Sequence, residues 1–148
     1  MSGIVGSAGS KSGGIGETEI DYEEGTVTNP LIIAGSTTAD SYYSSGVRYI
    51  KIGKLVNLFV YIDTVDTSPG GALTITLPYA SEHLTGDVGN NTGTLWIYDH
   101  SSWRTDNMGL YISDASATVS VRHGTFGTFS VSSGNRVILY GGVSYRTA

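Results

Sequence analysis

Apolar residues recur along much of this chain with a period of two, and that property restricts the folds open to it more than any other. Leu73, Ile75 and Leu77 alternate with Thr74 and Thr76, and Val119 and Val121 alternate with Thr118, Ser120 and Arg122. Successive side chains of a strand point to opposite faces, so each segment buries one face and offers the other to solvent. Leu55, Leu58, Phe59 and Ile62 stand at i, i+3, i+4 and i+7, but Val56, Val60 and Tyr61 between them are apolar too, so the segment lacks the polar face that an amphipathic helix requires.

The stretch 55–62, LVNLFVYI, departs from this alternation because it is apolar at nearly every position. Such a strand is expected to be covered on both faces, by the opposing sheet on one side and by a neighbouring chain or loop on the other. Leu55, Leu58, Val60 and Ile62 are the residues expected to close an interface between subunits. Further strands are expected over 26–33, 42–52, 94–98, 108–113, 125–131 and 136–145, with turns at 66–71, 85–93 and 132–135. Pro30 and Pro78 fall at strand ends, where a missing N–H is tolerated, and Gly141-Gly142 inside the last strand predicts a bulge or a close approach by another backbone. Short strands at this spacing predict an antiparallel β-sandwich of the jelly-roll type, preceded by an extended Gly/Ser-rich N-terminal arm.

A chain of 148 residues suits one domain, with a core large enough to need no disulfide or metal staple. It has no cysteine, which removes disulfides, thiolate nucleophiles and zinc-thiolate sites. Charged residues make up 14% of the sequence and the formal net charge is −5, so counterion release, which needs clustered Lys and Arg, argues against nucleic acid as a partner. No apolar run approaches the roughly 20 residues that span a bilayer, and residues 1–16 lack a signal-peptide core, so neither membrane insertion nor export by that route is expected.

Composition changes most sharply between about residues 24 and 28. Before that point Ser2-Gly3 followed by Gly6 is echoed by Ser12-Gly13 followed by Gly16, with Ile4, Val5 and Ile15 as isolated aliphatics. Glycine is costly to order, at roughly 1 to 2 kcal/mol of backbone entropy per fixed residue, so residues 1–24 read as a linker or as an arm that orders only against a partner. In the second reading Ile4, Val5 and Ile15 are apolar pegs, and Glu17, Glu19, Asp21, Glu23 and Glu24 mark the return to water. Residues 25–148 form the β domain.

Reaction chemistry is sparse. Gly9-Ser10-Lys11-Ser12 has neither the spacing of a phosphate-binding loop nor a strand before it. His83, His100 and His123 each stand alone, so no metal motif is formed and no cofactor is expected. Asp99-His100-Ser101 holds the residue types of a nucleophilic triad, but neighbours on a strand point to opposite faces and cannot relay a proton. Asp63 and Asp66 flank a turn and fall short of the six to eight oxygens calcium takes, so they read as solvated turn carboxylates. Aromatics are more informative. Trp96, Tyr98, Trp103 and Tyr111 lie close together, interleaved with His100, Arg104, Asp106 and Asn107. A ring covering the apolar face of a sugar beside polar groups that fix its hydroxyls suits Trp103, Arg104 and Tyr111 as glycan contacts, with Trp96 packed inside its strand.

Two segments carry a family resemblance. Tyr49-Ile50-Lys51-Ile52-Gly53-Lys54-Leu55-Val56, followed by Gly71-Ala72-Leu73-Thr74-Ile75-Thr76-Leu77-Pro78-Tyr79, resembles the C-terminal β domain of tailed-bacteriophage tail-fibre and related virion proteins. The start, Ser2-Gly3-Ile4-Val5-Gly6-Ser7 through Gly25-Thr26, is similar to the leader of small structural proteins of marine and cyanobacterial phages, with Val27 where a Trp or Phe often follows the Gly-Thr. The resemblance implies a non-enzymatic virion component, a short fibre, knob or decoration subunit. It implies a homotrimer whose leader docks on capsid, collar or tail proteins while the β domain projects. A second reading is a carbohydrate-binding module for host surface glycan. A third, a polysaccharide hydrolase, needs a carboxylate pair about 5 to 10 Å apart, for which Asp99, Asp106 and Asp114 are the only crowded acids.

Overall fold

The computed structural model describes residues 21–35, 37–39, 41–83, 91–99, 102–103, 107–124 and 127–148, with the backbone alone at 38, 99, 102 and 103. Among the described residues there are strands and turns and no helix. In chain order the strands are β1 (Tyr22–Thr26), β2 (Leu31–Ile33), β3 (Thr37–Thr38), β4 (Tyr42–Ser45), β5 (Arg48–Ile52), β6 (Leu55–Thr64) and β7 (Gly71–Thr76). They continue with β8 (Asn91–Asp99), β9 (Ser102–Trp103), β10 (Met108–Ile112), β11 (Thr118–His123), β12 (Gly127–Thr128), β13 (Ser130–Val131) and β14 (Val137–Arg146). The domain is all-β and antiparallel. Its strands join in one sheet, in the order β1-β5-β6-β14-β8-β10-β11-β7-β2-β3, curled into a half-barrel, and they do not divide into two separately hydrogen-bonded layers.

The alternation read from the sequence sets the inner face of this curl. Val56, Leu58, Val60 and Ile62 of β6, Leu73 and Ile75 of β7, Leu95 and Ile97 of β8, Leu110 and Ile112 of β10, Val119 and Val121 of β11, and Val137 and Leu139 of β14 meet in one core. Burying one such side chain contributes about 1.5 to 3 kcal/mol, so the concave face supplies the main driving force for folding. β5 and β6 form a two-residue hairpin in which Ile52 opposes Leu55 and Gly53 takes a positive φ of 56°. This suits the hairpin class with glycine at its first loop position, whose twist matches that of the strands. In the turn after β6, the buried Thr67 hydroxyl lies 3.0 and 2.8 Å from the Ser132 and Asn135 carbonyl oxygens, which share its one proton and tie it to the turn before β14.

β14 is the central strand, paired with β6 along its length and with β8 over its first half. A Cβ on Gly141 would stand 2.1 Å from the Thr94 carbonyl oxygen, and one on Gly142 would stand 2.8 Å from that of Leu58. The glycine pair therefore marks a close approach of neighbouring backbones, and the register passes through both residues without a bulge.

Four expectations are corrected. The expected arm of residues 1–24 overlaps β1, which pairs with β5 from Tyr22↔Ile52 to Thr26↔Arg48. Strand formation begins earlier than composition suggests because Glu23 accepts from Tyr49 across the ladder, while Glu24 accepts from Tyr22 on its own strand at 2.9 Å. The single strand expected over 42–52 is two, with a jog at Gly46-Val47 where Gly46 N–H donates to Tyr61 O at 2.7 Å, so that β4 and β5 lie along the same side of β6. The strand expected over 125–131 is likewise two, parted at Phe129. Lastly, β6 is covered on one face only. Leu58, Val60 and Ile62 are at most 2% exposed in the chain's own core, so they cannot meet a neighbouring subunit. Leu55, the fourth residue expected there, faces outward with Phe59 and Tyr61.

Candidate functional site

Directly opposed residues of neighbouring strands share a face, so the register maps the outer surface of the sheet. One row, flanked further out by Thr26 opposite Arg48 and Thr128 opposite Arg122, crosses six strands: Arg48 opposes Phe59, Phe59 opposes Gly142, Gly142 opposes Thr94, Thr94 opposes Gly109, and Gly109 opposes Arg122. At about 4.8 Å per strand the row is roughly 24 Å long. Two of its middle members are glycines, which makes this line the floor of a trough.

An aromatic row forms one wall: Tyr61 opposes Tyr140, and Tyr140 opposes Trp96. The Tyr61 and Tyr140 rings meet edge to face with centroids 6.3 Å apart. Trp96 is 65% exposed, Tyr140 61% and Phe59 53%, an unusual amount of aromatic surface to leave in water. The other wall is polar. Asn57 opposes Ser144, whose hydroxyl donates to Asn57 Oδ1 at 2.7 Å, and Thr92 opposes Tyr111.

Three open cavities follow one another along this line. A cavity of about 360 Å³ lies between Phe59, Tyr61, Trp96 and Tyr140 over Gly46 and Gly142. One of about 370 Å³ lies between Asn57, Phe59, Thr92 and Ser144, and one of about 180 Å³ lies beside Asn107, Tyr111 and Arg122. Neighbouring cavities share Phe59, Thr94 and Gly142, then Thr92 and Gly93, so they form one trough. Among the described residues its lining has no Asp, Glu or Lys, and Arg122 is the charged residue there. The Arg122 guanidinium lies 5.2 Å from the Tyr111 ring centroid and donates to Thr128 Oγ1 at 3.1 Å.

Of the residues expected to contact glycan, Tyr111 lines the trough. The Trp103 side chain and Arg104 lie outside the described residues, as do the expected anchoring residues Ile4, Val5 and Ile15. Trp96, expected to pack inside its strand, stands on the outer face because its parity is opposite to that of the buried Leu95 and Ile97. Phe59, Tyr61, Tyr140 and Arg122 were missed. Their outward parity was readable strand by strand, but their adjacency depends on pairing between distant segments.

Asp63, Asp66 and Asp114 have protein partners. Asp63, expected to be solvated, is 5% exposed and accepts a two-pronged bond from Arg136 at 2.8 and 2.7 Å, while the Arg136 guanidinium lies 4.8 Å from the Tyr43 ring centroid. Asp66 accepts from the Ser68 N–H at 2.8 Å and closes its own turn. Asp114 bonds to His83. Among the described residues no group of three His, Asp or Glu side chains gathers to hold a metal ion.

The Tyr49-Lys51-Gly53 element serves the N-terminal strand. Tyr49 donates to Glu23 at 2.7 Å, Lys51 pairs with Asp21, and Lys51 Nζ lies 5.6 Å from the Tyr79 ring centroid. Hydrogen bonds from Tyr79 and Tyr49 hold the Glu23 carboxyl below the usual carboxylate range, and the same contact with Glu23 pushes both phenols up. Behind this cluster Tyr145, 1% exposed, donates to the Tyr79 carbonyl at 3.0 Å, and burial raises its phenol to about 12. These contacts clamp β1 to the body and close one end of the core.

Comparison of the chain with protein-family models, curated proteins and solved structures returned no match.

Proposed function

We propose that the chain is a non-enzymatic structural and recognition module of a tailed-phage-type virion, whose β domain binds carbohydrate in the outer-face trough. The observation that carries the binding reading is the aromatic wall facing a hydroxyl and amide wall across a glycine floor. Rings of this kind cover the apolar C–H face of a sugar, and Asn57, Thr92, Thr94 and Ser144 match its hydroxyls. The virion setting rests on the resemblance of the leader and of residues 49–56 and 71–79 to phage structural proteins. A glycan array probed with the full chain and with Trp96→Ala tests the binding reading. Glycans retained by the parent and lost by the variant are expected, and an array on which the two give the same pattern overturns it. Particles of the parent phage should contain the chain, and Ile4→Asp or Ile15→Asp should lower its recovery in them while leaving the domain folded.

A second reading, homotrimer formation, is favoured by a separate surface. Tyr22, Ile52 and Leu55 oppose one another in a single outer-face row beside the edge of β1, and all three are about half exposed. Obligate interfaces bury 2,000 Å² or more and are rich in such residues. Light scattering of the full chain, of a chain lacking residues 1–20, and of Leu55→Lys tests it. A trimer that survives the truncation and falls to monomer with Leu55→Lys is expected, and a monomeric full chain refutes the reading.

A further inference from the structure

We infer that the aromatic part of the trough is a cage for a quaternary ammonium group, carried as a choline-type substituent on the recognised glycan; this rests on the carbohydrate reading above. Phe59, Tyr61, Trp96 and Tyr140 all line the cavity of about 360 Å³, and each is at least 41% exposed. The Tyr61 and Tyr140 rings are set at 77° to each other with centroids 6.3 Å apart, so they turn two faces to one corner instead of making a continuous platform. A pyranose ring is flat and needs a platform, whereas a trimethylammonium group is round and fills a corner. A cation is drawn to the negative face of an aromatic ring within about 6 Å of its centroid, and the spacing here lets one nitrogen stand within that distance of both tyrosines. Its methyl groups cover apolar ring surface at the same time.

The electrostatic setting suits a cation. The chain has a formal net charge of −5. Two residues along β6 from Tyr61, Asp63 balances the Arg136 guanidinium through its two-pronged bond, and Arg48, opposite Phe59, is not among the residues lining this cavity. The rest of the trough points to a glycan as the carrier. Trp96, opposite Tyr140, leaves a third ring for the sugar that bears the substituent. The next cavity, which shares Phe59, Thr94 and Gly142 with this one, adds Asn57, Thr92 and Ser144 to meet further hydroxyls. A trimethyllysine side chain brings the same cationic head but no hydroxyl-bearing ring for that wall.

The test titrates the full chain with choline and with dimethylbutanol, the uncharged isostere of choline, following NMR shifts. Choline should bind about tenfold more tightly than the isostere. Tyr61→Leu and Tyr140→Leu keep apolar bulk without the ring, so each should weaken choline about fivefold and leave the isostere within about twofold, with thermal unfolding unchanged. Tyr61→Phe keeps the ring and should retain choline binding. Choline bound no better than the isostere, or not bound at about 50 mM, overturns the cage and leaves the carbohydrate reading standing. A phosphocholine-bearing oligosaccharide should bind about tenfold more tightly than its unsubstituted form and than a trimethyllysine peptide. Equal binding of the unsubstituted form overturns the choice of substituent, and equal or tighter binding of the peptide overturns the glycan as its carrier. A glycan array on which nothing is retained overturns the carbohydrate reading and this inference with it.

Discussion

Replacing Trp96 by alanine should separate binding from folding. A tryptophan has about 250 Å² of surface, so 65% exposure leaves about 160 Å² in water, of which one ring face is about half. Covering about 80 Å² with the C–H face of a sugar at about 25 cal/mol per Å² contributes about 2 kcal/mol, or roughly thirtyfold in Kd. Because the side chain takes no part in the core, its removal should change the folding free energy by about 0.5 kcal/mol or less. Calorimetric titration with the tightest array ligand measures the first quantity, and thermal unfolding the second. A Kd that stays within about twofold of the parent refutes the idea that this ring is a sugar platform. A fall of many degrees in Tm would show instead that Trp96 supports the fold, contrary to its outward placement.

Gly141→Ala should destabilise the domain by about 2 to 4 kcal/mol, because the new methyl meets the Thr94 carbonyl at 2.1 Å and the central strands must separate; urea unfolding reads the shift, and an unchanged midpoint contradicts the close approach. Glu23 is held below its ordinary pKa in the folded state, so its contribution is present above that pKa and is lost as the pH falls below about 4.5. Hydrogen exchange of the β1 and β5 amides should therefore quicken on acidification, and Glu23→Gln should flatten that response. Tyr145 is raised to about 12, so the unfolded chain ionises first and stability should decline by about 2 kcal/mol between pH 10 and 12; Tyr145→Phe should be less stable at neutral pH yet lose less across that interval.

The fold class was legible because alternation is local. Leu73, Ile75, Val119 and Val121 face the core as their spacing predicts, and the turn at 66–71 and the close approach at Gly141-Gly142 fall where their residues place them. The boundary of β1 was not legible. YEEGT is a poor strand former by composition, and it is held by Tyr49, Tyr79 and Lys51 from segments 20 or more residues away. The stretch 55–62 misled for a related reason: a run apolar on both faces signals two contacts, but it does not say whether the second is a subunit, a ligand or solvent. For the candidate site, the importance of aromatic residues near Tyr111 could be read from their clustering, while the members contributed by β6 and β14 could not.

Period-two patterning alone determined that this chain forms one-sided antiparallel strands, since it commits each side chain to a face before any pairing partner is chosen. Which residues stand beside one another on that face was decided only by tertiary structure. Phe59, Gly142, Thr94 and Gly109 come from four separate segments, and they become a trough floor because β14 inserts between β6 and β8. Strand order is a property of the whole sheet, set by which arrangement closes the core, and no single segment encodes it.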